Sequence, residues 1–451
     1  MYHHPWLPNL SHLDEMLKEI GVKDVDELFK DVPQEIRIKD GYRSLPQRAM
    51  SEFEILNELS ASFRKNLNLK YPPFLGGGIC PHYIPYAVKM IMSRSEFYTS
   101  YTPYQQEISQ GLLQALFEYQ SLIAELFELE VVNASLYDWG SALAEAVLMS
   151  HRINGKKVVL VPSSMNPFRK EVLRTWIYGK GLKIVEVPIN NESGETSLEE
   201  YKNILNKHKD EVTAVYMEQP NFYGVVETQL DEIFTEAKKY KAITILGMNP
   251  LFSAVIKPPG EYGVDIAVSD GQEIGLALNY GGPLLGIIAT RWDSTLIKQL
   301  PGRIVGLTKD VEENRAYTLI LQYREQFSRR EKATSNITTN ETLMAIGVAV
   351  YLSLLGKNGL ITLAEEILRR SHYAVRELEK IGVRKAFSGE FLEEVALEFG
   401  KDYTEIHKHL LTKGIHGGLQ LDKTKALYCF SEVHTKHAID ELIDSIREVM
   451  K

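Results

Sequence analysis

Residues 197–219, SLEEYKNILNKHKDEVTAVYMEQ, contain a helix signal followed directly by a strand signal. Ser197 and Glu200 form a capping-box pattern at the start of the helix, and the β-branched run TAVYMEQ is typical of a fully buried strand. Similar short apolar runs lie on both sides: KKVVLVP (156–162), LKIVEVPI (182–189), AITILG (242–247), VDIAVSD (264–270) and LLGIIAT (284–290). Strands that alternate with helices in this way predict a mostly parallel sheet covered on both faces.

The rest of the chain is organised around this α/β core. The N-terminal part has the pattern of short helices joined by proline-containing loops. Thr102 and Gln105 form a capping-box pattern with Pro103 at the first helical position, which predicts that a long helix starts there. Toward the C-terminus, long helices are followed by strands that alternate with helices. We therefore predict three parts: an N-terminal helical arm (1–70), a large α/β domain (71–328) and a small α+β C-terminal domain (329–451).

Composition limits the possible functions. The 451 residues are 44% hydrophobic and 25% charged, an ordinary globular balance. A net charge of −9 without a basic run argues against a nucleic-acid surface. Cys80 and Cys429 are too few for a disulfide framework, so we expect two buried small hydrophobic side chains in a reducing compartment. The first residues lack a signal-peptide pattern, no window has about 18 unbroken apolar residues, and we expect a cytoplasmic protein with no membrane partner.

The segment 74–126 carries a family signature, with YTSYTPYQQEISQG at 98–111 inside it. NASLYDWGSALAEA (133–146) and REKATSNITTN (330–340) are similar to two further blocks of the same family. The chain resembles the P protein (glycine decarboxylase) of the glycine cleavage system, and most closely the first subunit of its two-subunit form. The resemblance covers nearly the whole chain. It implies the aspartate-aminotransferase-like fold type I of pyridoxal phosphate (PLP) dependent transferases, with a mostly parallel central sheet and a small α+β C-terminal domain.

This resemblance makes the absence of a lysine informative. PLP is carried as a Schiff base on a lysine, yet no lysine lies between Lys257 and Lys298. In the lysine-bearing members the lysine precedes a glycine-rich turn, and the matching slot here falls at or beside Gln272. The aspartate that pairs with the pyridine nitrogen in such enzymes is matched by Gly247. We therefore expect that this chain does not carry PLP by itself.

The resemblance also implies that this chain lends side chains to the active site of a partner. The candidates are Tyr101, Tyr104, Gln105 and Glu107. A tyrosine stripe is otherwise typical of core packing, and Glu107 could simply compensate a helix dipole. His82 could line the active site in trans or be a packed or capping histidine.

A second group of candidates precedes the second domain. Thr334, Ser335 and Asn336 offer hydroxyl and amide groups ahead of a helix, which suit a phosphate, and the resemblance assigns them to the phosphate of the partner's PLP. The alternative is an N-cap for that helix. Residues 138–142 occupy the place of the phosphate cup, but Trp139 makes this loop bulky, and we interpret it as a vestigial cup.

The implied enzyme is a heteromeric glycine dehydrogenase (decarboxylating, aminomethyl-transferring), an oxidoreductase of glycine catabolism. A lysine-bearing second subunit would bind PLP and decarboxylate glycine, and the aminomethyl group would pass to the lipoyl arm of the H protein. Two alternatives remain: a purely structural pseudoenzyme subunit, or a stand-alone PLP-dependent transferase that uses another lysine such as Lys309. The histidine pairs His407/His409 and His434/His437 lack a third ligand in pattern, so we interpret them as surface helix histidines and predict no metal site.

Overall fold

The computed structural model describes residues 10–38, 44–45, 48–337 and 340–450. The chain divides into two compact units, 1–67 and 68–451. In the first unit, helix α1 spans Leu13–Ile20 and helix α2 spans Glu52–Phe63, where Ser51 and Glu54 form a reciprocal capping box.

The second unit is built on a seven-stranded sheet whose strands are β1 (Val131–Val132), β2 (Val158–Pro162), β3 (Lys183–Val187), β4 (Val212–Gln219), β5 (Ile243–Met248), β6 (Ile266–Asp270) and β7 (Gly286–Thr290). Their order is β1-β7-β6-β5-β4-β2-β3. Strands β2 to β6 pair in parallel, whereas β7 is antiparallel to both β1 and β6. The predicted, mostly parallel sheet is confirmed.

Helices cover both faces of this sheet: α3 (Tyr86–Met92), α4 (Ser95–Tyr98), α5 (Gln110–Phe127), α6 (Trp139–Asn154), α7 (Pro167–Tyr178), α8 (Leu198–Lys207), α9 (Leu230–Lys239) and α10 (Ser294–Gln299). Successive side chains of β5 show why: Ile245 packs into one hydrophobic core and Leu246 into another. A strand exposes alternate residues to opposite faces, so a sheet whose faces are both buried needs an unbroken apolar run.

The long helix α5 begins at Gln110, and the prediction of a start at Thr102 is wrong. The hydroxyl of Thr102 accepts a hydrogen bond from Asn340 Nδ2 at 2.8 Å. A long-range partner therefore occupies the group that the capping-box pattern assigned to a helix N-terminus. Ile108 lies two residues before the helix and is 79% exposed.

A β-hairpin that the sequence analysis did not predict follows the sheet, with β8 at Ile304–Lys309 and β9 at Arg315–Ile320. The C-terminal part then forms a four-stranded antiparallel sheet of order β10-β11-β13-β12. Its elements and the short helix before it are α11 (Gln326–Arg329), α12 (Thr342–Glu379), β10 (Arg384–Lys385), β11 (Glu394–Glu398), α13 (Tyr403–Thr412), β12 (Leu419–Gln420), β13 (Lys425–Cys429) and α14 (Lys436–Met450).

Helix α12 is, among the described helices, the one long and apolar enough to cross a membrane by length and composition. Gly356 interrupts it with φ 60° and ψ −179°. The first segment, 342–355, would therefore span only about 21 Å of the roughly 30 Å of a bilayer core. Its buried residues belong to the same hydrophobic core as those of α5, so this is a core helix.

A disulfide joins Cys80 to Cys429, which are 349 residues apart. Both cysteines are fully buried, as expected, but the prediction that they are separate small hydrophobic side chains is wrong. The reason is tertiary. The loop that carries Cys80 runs along the end of β13, where the backbone N–H of Cys429 donates to the carbonyl of Phe74 at 3.1 Å. The pairing removes the argument for a reducing compartment.

Candidate active site: a pocket filled by its own side chains

The candidate site lies at the carboxyl ends of the parallel strands, where α/β folds bind their ligands. Glu218 and Gly247 lie at the ends of β4 and β5, and Asp270 ends β6. Helix α6 begins at this edge with Trp139. The position is the one that the family resemblance predicts for a PLP site.

Trp139 fills the centre of this pocket. Its indole Nε1 donates to the hydroxyl of Tyr216 at 3.1 Å, and that hydroxyl donates to Glu218 Oε1 at 2.8 Å. The guanidinium carbon of Arg169 lies 3.5 Å from the centre of the indole ring, a cation–π contact that covers one face of the ring. The indole of Trp139 is thus held between the guanidinium of Arg169 and the hydroxyl of Tyr216.

Gly247 leaves no room for the missing aspartate. A Cβ atom added here would lie 2.4 Å from the hydroxyl oxygen of Tyr216 and 2.9 Å from ring atoms of Trp139. Contacts this short do not occur for real Cβ atoms. The glycine is therefore required by the side chains that fill the pocket.

Gln272, in the slot of the Schiff-base lysine, is buried and engaged in the fold. Its Nε2 donates to the carbonyl of Cys80 at 2.9 Å, and its Oε1 accepts from the N–H of Cys80 at 3.4 Å. The amide holds the loop of the disulfide against the turn that follows β6. An amide cannot form an imine.

Two carboxylates of the chain take the N–H groups that a phosphate would need. Asp138 caps α6 and accepts from the N–H of Ser141 at 2.7 Å. Asp270 accepts hydrogen bonds from the backbone N–H groups of Gln272 and Trp139. Burial raises the pKa of Asp270 to about 6, against the opposing effect of the charge of Arg169. The helix N-terminus is therefore saturated by internal anions.

The remaining cavity is about 30 Å³. This is room for about two water molecules, whereas a cofactor of the size of PLP needs several hundred Å³. The residues present in this pocket therefore do not fit PLP.

The tyrosine loop lies on the surface. Tyr101, Tyr104, Gln105 and Glu107 are all exposed, which argues against core packing. The hydroxyl of Tyr104 accepts from Arg303 Nη2 at 2.5 Å. Because α5 starts only at Gln110, Glu107 lies outside its first turn, which argues against a dipole role.

The second candidate loop adjoins the tyrosine loop. Asn340 Nδ2 donates to the carbonyl of Tyr101 at 3.1 Å, so Asn340 lies against the tyrosine loop. Thr334 Oγ1 donates to the carbonyl of Arg324 at 3.4 Å, and Ser335 Oγ donates to Glu145 at 2.5 Å.

The side chain of Asn336 is exposed and accepts from Gln326 Nε2 at 3.0 Å. Helix α12 starts at Thr342, whose N–H donates to the side-chain oxygen of Asn340 at 3.0 Å. Asn340, and not one of the residues 334–336, therefore caps this helix among the described residues.

Two of the candidate histidines, His82 and His434, have buried side chains. The side chain of His82 is 1% exposed, and its Nδ1 lies 2.9 Å from Glu432 Oε2, which favours a packed histidine. His434 is fully buried, so the interpretation as a surface histidine is wrong for it. Its Nδ1 accepts from the N–H of Ser431 at 3.0 Å, and its Nε2 lies 3.2 Å from the carbonyl of Pro73.

Sequence reasoning missed several residues of the pocket. Arg169, Glu218, Glu273 and Glu393 line it, and Tyr216 lies behind them, hydrogen bonded to Trp139 and Glu218. They lie on different elements and share no local pattern. A charged residue at or next to the end of a buried strand, such as Glu218 in β4 and Asp270 in β6, is a signal that could have indicated a site.

The parallel sheet, the site at its carboxyl edge and the small C-terminal domain together define the class of PLP-dependent transferases of fold type I, as predicted. A structure of a C-DES mutant with glycine covalently linked to its PLP cofactor shares this fold, with a TM-score of 0.62 and 13% identity over 84% of this chain and 97% of that one.

Within that class, the chain belongs to the Glycine cleavage system P-protein family, whose profile matches residues 7–446. The resemblance is confirmed. The chain is 63% identical over 447 residues, 99% of each chain, to the probable glycine dehydrogenase (decarboxylating) subunit 1 of Sulfolobus acidocaldarius. It is 38% identical, with a TM-score of 0.86 and full coverage of both chains, to a glycine decarboxylase (P-protein) of the glycine cleavage system solved in an inhibitor-bound form.

Proposed function

We propose that this chain is the subunit 1, without PLP of its own, of a two-subunit glycine dehydrogenase (decarboxylating). With a lysine-bearing second subunit it decarboxylates glycine and transfers the aminomethyl group to the lipoyl arm of the H protein. The observation that carries the proposal is the filled pocket, in which Trp139 and Tyr216 occupy the space next to Gly247. The subunit 1 name of relatives at 63% identity supports the same role.

A partner is supported by an exposed aromatic surface. Tyr98, Tyr101, Tyr104, Ile108 and Phe327 are each at least half exposed. The rings of Tyr104 and Phe327 contact each other at a centroid distance of 5.7 Å, so the surface extends from the tyrosine loop to α11. Large apolar surfaces with a polar rim are typical of protein interfaces. We assign this surface to the second subunit.

Polar groups on the same surface would complete the partner's active site. Tyr101, Tyr104, Gln105 and Glu107 offer hydroxyl, amide and carboxylate groups to an amino-acid substrate. Thr334, Ser335 and Asn336 lie on the neighbouring loop, and we assign them to the phosphate of the partner's PLP. The contact between Asn340 and Tyr101 supports a joint role for the two loops.

We also propose a cytoplasmic location and the domain boundaries 1–70, 71–328 and 329–451. The first boundary is close to the division between the two compact units at residues 67 and 68. Both proposals can be checked together, by fractionating cells and by limited proteolysis of the purified chain.

The direct test is to purify this chain alone, add PLP, and reduce with borohydride. We expect no aldimine absorbance and no pyridoxyl-lysine in the mass spectrum, whereas the lysine-bearing subunit treated in parallel gives both. A pyridoxyl adduct on Lys309 or any other lysine of this chain would overturn the proposal. Lys309 lies exposed on β8 and pairs with Glu313 at 2.6 Å, away from the filled pocket.

A purely structural subunit is the competing function, because a filled pocket would suit it equally well. Tyr101→Phe and Tyr104→Phe separate the two, since each removes one hydroxyl and keeps the exposed ring. If the hydroxyls act in the partner's site, glycine decarboxylation by the reconstituted enzyme falls about tenfold per 1.4 kcal/mol of lost transition-state contact. Full activity in both variants, with unchanged subunit affinity, would leave the structural role.

A further inference from the structure

Three buried atoms of this chain converge without a hydrogen-bond partner. Nε2 of His82, Oε2 of Glu273 and Oε2 of Glu393 make no hydrogen bond to the described residues. One ligand atom from each of these side chains lies within 4.8 Å of the others. Buried polar atoms are normally paired. The carboxyl groups of Glu273 and Glu393 are in hydrogen-bonding contact with each other, so either a shared proton or a shared cation would supply the missing partner.

The imidazole is oriented for such a partner. His82 Nδ1 lies 2.9 Å from Glu432 Oε2, and Nε2 lies on the other side of the ring, 3.7 Å from Glu393 Oε2. A carboxylate that holds one ring nitrogen fixes the orientation of the other, and this arrangement recurs behind metal-ligating histidines. Glu393 is held in turn, because its Oε1 accepts from Asn249 Nδ2 at 2.7 Å.

The local charge also favours a cation. Three carboxyl groups, from Glu273, Glu393 and Glu432, lie around the imidazole of His82, whereas the neighbouring Glu394 accepts from the N–H groups of Gly77 and Gly78 and faces Arg169. Uncompensated buried charges are costly, so this cluster needs a counter-charge.

Two of the three side chains border a cavity, and the distances between the ligand atoms decide whether an ion fits. Glu273 and Glu393 line the cavity of about 30 Å³ beside Trp139. Ligand atoms bound to one tetrahedral zinc ion at about 2.0–2.2 Å lie roughly 3.3–3.6 Å apart. Nε2 of His82 and Oε2 of Glu393, at 3.7 Å, are already close to that spacing. The widest pair lies within 4.8 Å and therefore has to close by at most about 1.5 Å to share an ion.

We propose that His82, Glu273 and Glu393 bind one divalent cation of the class that takes nitrogen and oxygen ligands, with zinc as the best match. The ion ties the loop of Cys80 to the turn after β6 and to strand β11 of the C-terminal part. It offsets the buried carboxylates and acts as a structural centre.

The test uses the full chain with its disulfide intact. The chain is stripped with a chelator, dialysed, and titrated with ZnCl2 alone, with bound zinc measured by elemental analysis and stability by thermal unfolding. We expect one zinc per chain and a rise in the melting temperature. Glu273→Gln and Glu393→Gln keep the shape and the hydrogen-bond acceptor, and each should weaken zinc binding by more than about 100-fold.

Matched controls separate this site from other zinc binding. Glu432→Gln should weaken binding by about 10- to 100-fold, as loss of an outer-shell carboxylate does. Glu448→Gln, at the exposed pair with His409, should change nothing. X-ray absorption should show one imidazole nitrogen and oxygen ligands.

Three results would overturn the proposal. One is the absence of stoichiometric zinc in the oxidised chain. If Glu273→Gln then also raises the melting temperature, a proton shared between the carboxyl groups, and not a cation, neutralises the cluster. Another is zinc binding that neither Glu→Gln change in the cluster affects. The last is zinc that binds only after reduction and is lost in Cys429→Ser, since Cys80 and Cys429 also approach Glu393 and would then be the ligands.

Discussion

Replacing Gly247 with alanine tests whether the pocket is filled by this chain's own side chains. The new methyl group would lie 2.4 Å from the hydroxyl oxygen of Tyr216 and 2.9 Å from the ring of Trp139. Both rings are buried and hydrogen bonded to each other, so neither can move away freely. Overpacking of this kind costs about 1–3 kcal/mol, and we expect the free energy of unfolding to fall by that amount.

The measurement is guanidinium unfolding of the full chain followed by tryptophan fluorescence and circular dichroism. Gly111→Ala is the matched control, because a Cβ added at Gly111 meets no atom of the described residues within 4 Å and this residue lies in α5. That substitution should raise stability by up to about 1 kcal/mol through helix propensity.

A double-mutant cycle with Tyr216→Phe makes the test specific to the predicted contact. Removing the hydroxyl leaves Glu218 and the indole N–H of Trp139 without their partner, at a cost of about 1–3 kcal/mol. In that background Gly247→Ala should cost at least about 1 kcal/mol less than in the wild type, because its closest contact is gone. If Gly247→Ala is as stable as the wild type, or if the cycle shows no coupling, the pocket is not filled as described.

Three further predictions concern other parts of the molecule. The Cys80–Cys429 disulfide closes a loop of 349 residues, so Cys80→Ser with Cys429→Ser should lower stability by about 6 kcal/mol in the chain-entropy model; equal denaturation midpoints for the oxidised and reduced chains would contradict this. Burial lowers the pKa of His434 to about 4. Between about pH 6.5 and pH 4 the unfolded chain therefore takes up a proton that the folded chain does not, and the free energy of unfolding should fall by up to about 3 kcal/mol over this range. His434→Gln should lack this part of the pH profile. Thr334→Val or Asn336→Ala should leave folding intact but raise the dissociation constant of PLP in the reconstituted complex about tenfold or more, and equilibrium dialysis that finds unchanged retention would limit this loop to a structural role.

The structure explains where local patterns succeeded and where they did not. The apolar runs around 213–219 and 242–247 predicted buried parallel strands correctly. A strand that is buried on both faces needs apolar residues at successive positions, and this pattern is visible in the local sequence. The capping-box pattern at Thr102 was misleading because Asn340, 238 residues away, takes its hydroxyl. The cysteines were misjudged for the same kind of reason, since their pairing depends on a contact across 349 residues.

The sequence by itself determined which chemistry this chain lacks. By the family resemblance, the slot of the Schiff-base lysine falls at or beside Gln272 and that of the aspartate at Gly247, and side-chain type alone excludes an imine at Gln272. The exposed tyrosine loop was also predicted from its residues, by resemblance to one family.

Only the tertiary structure decided what occupies the pocket instead. Trp139, Arg169 and Tyr216 come from two helices and a strand, and their stacking depends on how these elements pack. The same is true of His82 and Glu393, which are adjacent in space but more than three hundred residues apart in the chain. A residue's type and local periodicity predict whether it is buried. Long-range packing decides which buried groups are in contact, and the charge balance of a site depends on those contacts.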